Sequence, residues 1–259
     1  MLAACAAPLA APPHHATPAA PRAISADQPL GWIALAPRPV GAAREVGDWL
    51  PVGAHMLVPR PTEGSVGLAA GDALAVIDTA GAIAHVTVGA PIRLPYGCDR
   101  NQLDAIALTG ERLAPGVLWL LPAGASASWQ PRPLAIATGV ESGPARRRDT
   151  VGPLELELVR RDDTHATLAI SRSGRLVHTA PITRVAIAGA DAEPLDLGGG
   201  GVAIPAPVAA WSIGLGTGAI LLVLQVPAYE GTHLTPILVE PDRAREVTAM
   251  AVYLYRCAF

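Results

Sequence analysis

The chain has 259 residues, a net charge of −3, a hydrophobic share of 51% and a charged share of 16%. Such a chain can bury a large core and is too apolar to be a disordered protein, and its charge balance offers no basic face for nucleic acid phosphates. All 19 basic residues are arginine, so this chain supplies no P-loop lysine, no Schiff base to a carbonyl or pyridoxal cofactor, and no Ser–Lys nucleophile pair.

Glycine and proline number 26 each and are spread along the chain. Neither is tolerated in the interior of long helices. Short apolar runs between frequent breakers predict an all-β protein, an antiparallel sandwich or barrel-like body, built as one unit or as two packed β subdomains. The organisation expected is a segment 1–28 as an Ala/Pro-rich tether, 29–123 as a first β subdomain and 124–259 as a second.

The chain opens Met1-Leu2-Ala3-Ala4-Cys5. Small residues directly before a cysteine resemble the lipobox of bacterial lipoproteins. The resemblance covers four residues and implies that Cys5 becomes a lipidated first residue, with the protein exported and anchored in an envelope membrane. That family carries a basic and then an apolar region before the lipobox. Only Met1 precedes it here, which reads as a start codon placed late or a trimmed segment. Residues 6–21 are mostly Ala, Pro, Thr and His, a composition suited to a tether between membrane and folded body. The other reading is an Ala-rich tail with a chance cysteine.

There are three cysteines, Cys5, Cys98 and Cys257. If Cys5 carries lipid, two remain, and in an oxidising compartment they are expected to pair. A loop of that length stabilises by about 4–5 kcal/mol in loop-closure reasoning. The alternative is two buried thiols packing as small hydrophobes.

In chain order, Trp32–Leu35 begins a stretch broken by Pro and Gly that suits one or two short strands, with a single helical turn over 42–49. Ala73–Ile77 is a short apolar run, the mark of a strand covered on both faces. Asp78-Thr79-Ala80-Gly81 follows as a turn, and Ala82, Ala84, Val86 and Val88 then alternate with Ile83, His85 and Thr87, completing a hairpin. Val117–Leu121 is another buried run. Composition changes after it, through Ala123–Ser128, Gln130–Pro133 and the Arg146-Arg147-Arg148 triplet, which reads as a solvated loop or as a contact for anionic headgroups.

Leu154, Leu156 and Leu158 alternate with Glu155, Glu157 and Val159 in a half-buried strand. Turns at Arg161–Thr164 and Ser173-Gly174 make a three-stranded meander of this region. The stretch 197–229 has no formal charge, but Gly214, Gly216 and Gly218 interrupt it. Two strands, Val208–Ile213 and a fully buried Ala219–Val226, fit better than a membrane-spanning helix. A last hairpin is expected from Leu234–Glu240, a turn at Pro241–Arg243 and a strand over Val247–Cys257.

Few motifs carry chemistry. Asp78-Thr79-Ala80 resembles the Asp-Thr-Gly loop of aspartic proteases, but Ala80 stands where that loop needs glycine, and an ordinary hairpin turn explains it. Gly214-Leu215-Gly216-Thr217-Gly218-Ala219 fits a loose dinucleotide fingerprint but leads into a strand rather than a helix, so it reads as a turn. No HExxH, CxxC or GxSxG occurs, so neither a metal nor any cofactor is expected. Asp191, Glu193 and Asp196 do not match a calcium loop. Tyr229-Glu230-Gly231-Thr232-His233 sets an aromatic, a carboxylate and an imidazole at the end of a buried strand. Glu230 and His233, with Asp99 in the second polar loop Tyr96–Asn101, are the catalytic candidates, against the reading of hairpin polar groups bonded to nearby backbone. Five tryptophans, at 32, 49, 119, 129 and 211, are expected mostly in the core.

The leading functional reading is therefore a non-enzymatic binding or assembly module of the bacterial envelope, lipid-anchored and facing the periplasm or exterior. Its expected partners are the membrane and an envelope protein or glycan, not nucleic acid. One alternative is a cell-wall or polysaccharide hydrolase using Glu230 and a second carboxylate about 5–10 Å away. Another is a carbohydrate- or small-ligand-binding β domain with exposed coplanar tryptophans or a closed apolar pocket.

Overall fold

The computed structural model describes residues 30–37, 50–62, 66–95, 102–137, 139, 146–162, 164–183, 205–214, 218–228 and 231–255. The first six strands are β1 (Trp32–Ala36), β2 (Ala54–Pro59), β3 (Ala73–Ile77), β4 (Ile83–Pro95), β5 (Gln102–Gly110) and β6 (Gly116–Leu121). They close into an antiparallel barrel in the order β1-β2-β5-β4-β3-β6. Side chains alternate across each strand. On β6, Leu118 and Leu120 fill the bore, while Trp119 and Leu121 face outward into a second cluster. The bore takes Met56, Val76, Val86 and Leu108 as well. Six strands enclose a space that such side chains fill, so the barrel is a packed core. β4 and β5 run on past a register shift between Val88 and Pro91 and cover a small cluster of Leu57, Leu94, Leu103 and Ala105.

A short helix α1 (Ala125–Trp129) leads to two further antiparallel sheets. The central sheet has the order β16-β15-β14-β13-β7, from β7 (Arg132–Pro133), β13 (Ala206–Ile213), β14 (Ala219–Ala228), β15 (Gly231–Val239) and β16 (Ala244–Glu246), with β17 (Val252–Tyr255) also paired to β15. The outer sheet has the order β12-β11-β10-β9-β8, from β8 (Ile136–Ala137), β9 (Arg146–Val151), β10 (Leu154–Arg160), β11 (His165–Arg172) and β12 (Arg175–Thr183).

The core assignments make this a three-layered stack. Ala219, Leu221 and Val223 of β14 join Ile33, Ile77 and Trp119 of the barrel. Ile220, Leu222 and Leu224 of the same strand join Leu156, Leu168 and Ile170 of the outer sheet. The uninterrupted apolar text of β14 is thus explained, because both of its faces are covered. The outer sheet needs only one apolar face, and β10 accordingly alternates, with Leu154, Leu156 and Leu158 in and Glu155 out. Each Leu or Ile so buried contributes roughly 1.5–3 kcal/mol.

The all-β antiparallel architecture expected from the sequence is present, in a form that combines barrel and sandwich. Particular elements differ. The arginine triplet is not a loop: Arg146–Asp149 is strand, paired with β10 from Arg146↔Val159 to Asp149↔Leu156. Strand alternation sends Arg146 and Arg148 outward to Glu157, at 3.4 and 2.9 Å, and turns Arg147 inward to Asp149. In place of the single last strand expected over Val247–Cys257, a 3-10 turn at Thr248–Met250 precedes the short strand β17, and β16 ends just before Val247; residues 256–257 lie outside the described residues. Val247 and Met250 are buried there against the central sheet, and that inward turn interrupts the ladder. β2 and β5 are additional strands. The helical turn expected at 42–49 lies outside the described residues.

Candidate functional site

His233 is the one catalytic candidate among the described residues; Glu230 and Asp99 lie outside them, as do Cys5, Cys98 and Cys257 with the expected lipid attachment and disulfide. The acidic loop Asp191–Asp196 also lies outside. His233 sits two residues into β15, directly opposite Val226 of β14 on one side and Tyr253 of β17 on the other. Cross-strand partners project on one face, and the imidazole lies on the Tyr253 ring with centroids 4.7 Å apart and planes at 44°. Burial of this half-covered ring pushes its pKa below the ordinary 6.5, because the charged form is the one that loses hydration. This geometry favours a neutral imidazole that joins β17 to β15.

The other motif residues have structural employment. Asp78 is buried, and its Oδ1 accepts the N–H of Ala80 and of Ala82 at 2.9 and 2.8 Å. That is an Asx turn closing the β3–β4 hairpin, and among the described residues no second carboxylate is paired with it. Trp119 and Trp211 are fully buried and Trp129 nearly so; Trp119 lies 5.7 Å from Trp129 and 5.8 Å from Trp211 between ring centroids. Trp32 is half-buried and donates its indole N–H to Val66. The three buried rings offer no exposed face for stacking on a sugar; Trp49 lies outside the described residues.

Two polar constellations were not anticipated. On the β10–β11 turn, Asp162 caps the backbone N–H groups of Thr164 and His165 and meets the His165 Nδ1 at 2.9 Å. The Thr164 N–H first, and then the His165 ring, hold its carboxyl well below the usual carboxylate range. The pair is exposed on a convex turn. The second lies on the inner face of β9. The Asp149 side chain is completely buried, and its Oδ1 accepts from Arg147 Nε and Nη2 at 3.1 Å and from the Gly139 N–H at 2.8 Å. Its Oδ2 is buried with no donor. The sequence signal for this pair is Arg and Asp two apart in a strand, which places both on the same face.

Among the described residues, no group of three or more His, Cys, Asp or Glu side chains converges as a metal site would require. No helix among them is long and apolar enough to cross a membrane. In comparisons with protein-family models, curated proteins and solved structures, nothing matches the chain.

Proposed function

We propose that this chain is a non-enzymatic binding or assembly module of a bacterial envelope, carried on a lipid at Cys5 and facing the periplasm or exterior. The observation that supports it best is the way the polar and aromatic residues are used. Asp78, Asp149, Trp119 and Trp211 are all engaged in internal hydrogen bonds or ion pairs, and the barrel bore is filled with apolar side chains. A body so packed presents surfaces rather than an enclosed reaction chamber. The four residues Leu2-Ala3-Ala4-Cys5 and the Ala/Pro-rich stretch behind them supply the anchor and tether of the reading.

The test is mass spectrometry of the native protein recovered from membranes, beside a Cys5→Ser form expressed identically. A diacylglyceryl group on an N-terminal Cys5, with Cys5→Ser released from the membrane, is the expected result. An unmodified Cys5 still preceded by residues 1–4 would overturn the anchored reading. Hydrolysis of purified peptidoglycan or polysaccharide that disappears in Glu230→Gln would overturn the non-enzymatic one.

A further inference from the structure

β11 and β12 are joined by the two-residue turn Ser173-Gly174, both residues having left-handed φ of 49° and 77°. This turn sets Arg172 and Arg175 directly opposite each other. Like charges in directly opposed strand positions repel. The same row continues from Arg172 to Leu154 of β10, a core residue, so the pair projects on the face turned toward the central sheet. Arg175 reaches across and donates from Nη2 to the carbonyl of Asp242 at 2.8 Å. Arg172 lies against Gly218, its Nη2 only 2.9 Å from where a Cβ on that glycine would stand. The Arg172 Nη1 is buried and has no acceptor.

Neither arginine is in an ion pair among the described residues. The carboxylate of Glu240 is engaged by Arg243 at 2.6 Å. Two arginines are therefore held at directly opposed strand positions, one reaching the Asp242 carbonyl and the other lying against Gly218 with a buried donor unsatisfied. Both features oppose folding unless a counter-charge is present. The missing partner is an acceptor with negative charge and several oxygens, which the planar guanidinium fork matches.

We propose that Arg172 and Arg175 form an oxyanion site at the turn end of the outer sandwich, and that it takes a phosphate group. Arg172 supplies the buried donors and Arg175 the solvent-side charge; Gly218 leaves the space in which the Arg172 guanidinium lies. The group is either free phosphate or the phosphodiester of a lipid headgroup, and the chemistry is shared. The site does not depend on how the protein is anchored.

The test is thermal unfolding of the full chain in sodium phosphate and in sodium chloride at matched ionic strength, with the Arg172→Gln and Arg175→Gln forms alongside. Phosphate is expected to raise the Tm saturably, and either substitution to weaken the apparent affinity by roughly tenfold or more. Arg175 is exposed at the start of β12, so Arg175→Gln keeps the test open if Arg172→Gln does not fold. Flotation with phosphatidylglycerol vesicles, competed by free phosphate, separates the sources. Competition assigns the site to a headgroup, and a phosphate effect without flotation assigns it to a soluble anion. A Tm that responds equally to both salts, or a phosphate response unchanged in both variants, overturns the proposal.

Discussion

Trp211 of the central sheet donates its indole N–H to the main-chain carbonyl of Asp78, 133 residues earlier, at 2.9 Å. Asp78 begins the turn between β3 and β4, so this bond fastens a barrel hairpin to the next layer. The Asp78 carboxylate fixes that carbonyl by capping two N–H groups of its own turn. Trp211→Phe keeps most of the buried area but leaves the Asp78 carbonyl only the longer bond from the Gly81 N–H, at 3.3 Å. A loss of about 1–3 kcal/mol is expected in urea unfolding. Asp78→Ala should cost a similar amount, and the double variant less than the sum, because both changes release the same turn.

The inner face of the outer sheet carries a buried charge pair where apolar packing would serve. Removing one partner leaves an uncompensated ion. Arg147→Met alone is expected to destabilise by about 3–5 kcal/mol, whereas Arg147→Met with Asp149→Leu should be neutral or stabilising. Denaturant midpoints of the two single variants and the double decide it. A double variant as unstable as Arg147→Met would mean that the pair also sets the β9 register.

Gly31 precedes β1 with φ of 99°, and a Cβ there would stand 2.1 Å from the Leu120 carbonyl oxygen of β6. Backbone on both sides cannot yield, since Leu30 accepts the Trp119 indole N–H at 2.6 Å. Gly31→Ala is thus expected to lower stability by about 2–4 kcal/mol, through strain and through loosening of the β1–β6 closure. The same substitution at Gly53, where a Cβ meets nothing within 4 Å, isolates the φ penalty from the clash and should cost less.

Much of this architecture is written in local pattern. β14 shows an unbroken apolar run because two layers cover it, and β10 alternates because one does. Asp78 and Gly81 announce their turn by chemistry. The arginine triplet misleads because charge suggests solvent, while the ladder to β10 forces every second residue inward, and only Asp149 two positions on makes that tolerable. The break between β16 and β17 is hidden for a related reason. Met250, Val252 and Leu254 look like strand alternation, yet the chain tightens into a 3-10 turn that buries Val247 and Met250, three residues apart. The Arg172–Arg175 opposition is legible only once a two-residue turn is assigned to Ser173-Gly174. The Gly139 N–H that also reaches Asp149 comes from ten residues earlier and has no local sign. His233 was legible as a polar residue ending a buried strand, but its stacking on Tyr253 depends on a pairing of strands 20 residues apart.

The partial burial of that imidazole makes stability depend on pH in a definite direction. Burial lowers the His233 pKa in the folded state below the unfolded value near 6.5, so the unfolded chain takes up the proton first as pH falls. Stability from this group is intact above about pH 7 and declines as pH drops through 6.5 toward the folded pKa, below which the loss is complete. The Tm of the native chain is expected to fall between about pH 7 and pH 5, with a smaller fall in His233→Gln, whose side chain does not titrate. Because β17 is paired to β15 at this residue, amide exchange in Val252–Tyr255 should accelerate over the same range in the native chain only. Parallel pH profiles for the two proteins would show that other groups govern the acid response and that the stacked imidazole stays uncoupled from the closing strand.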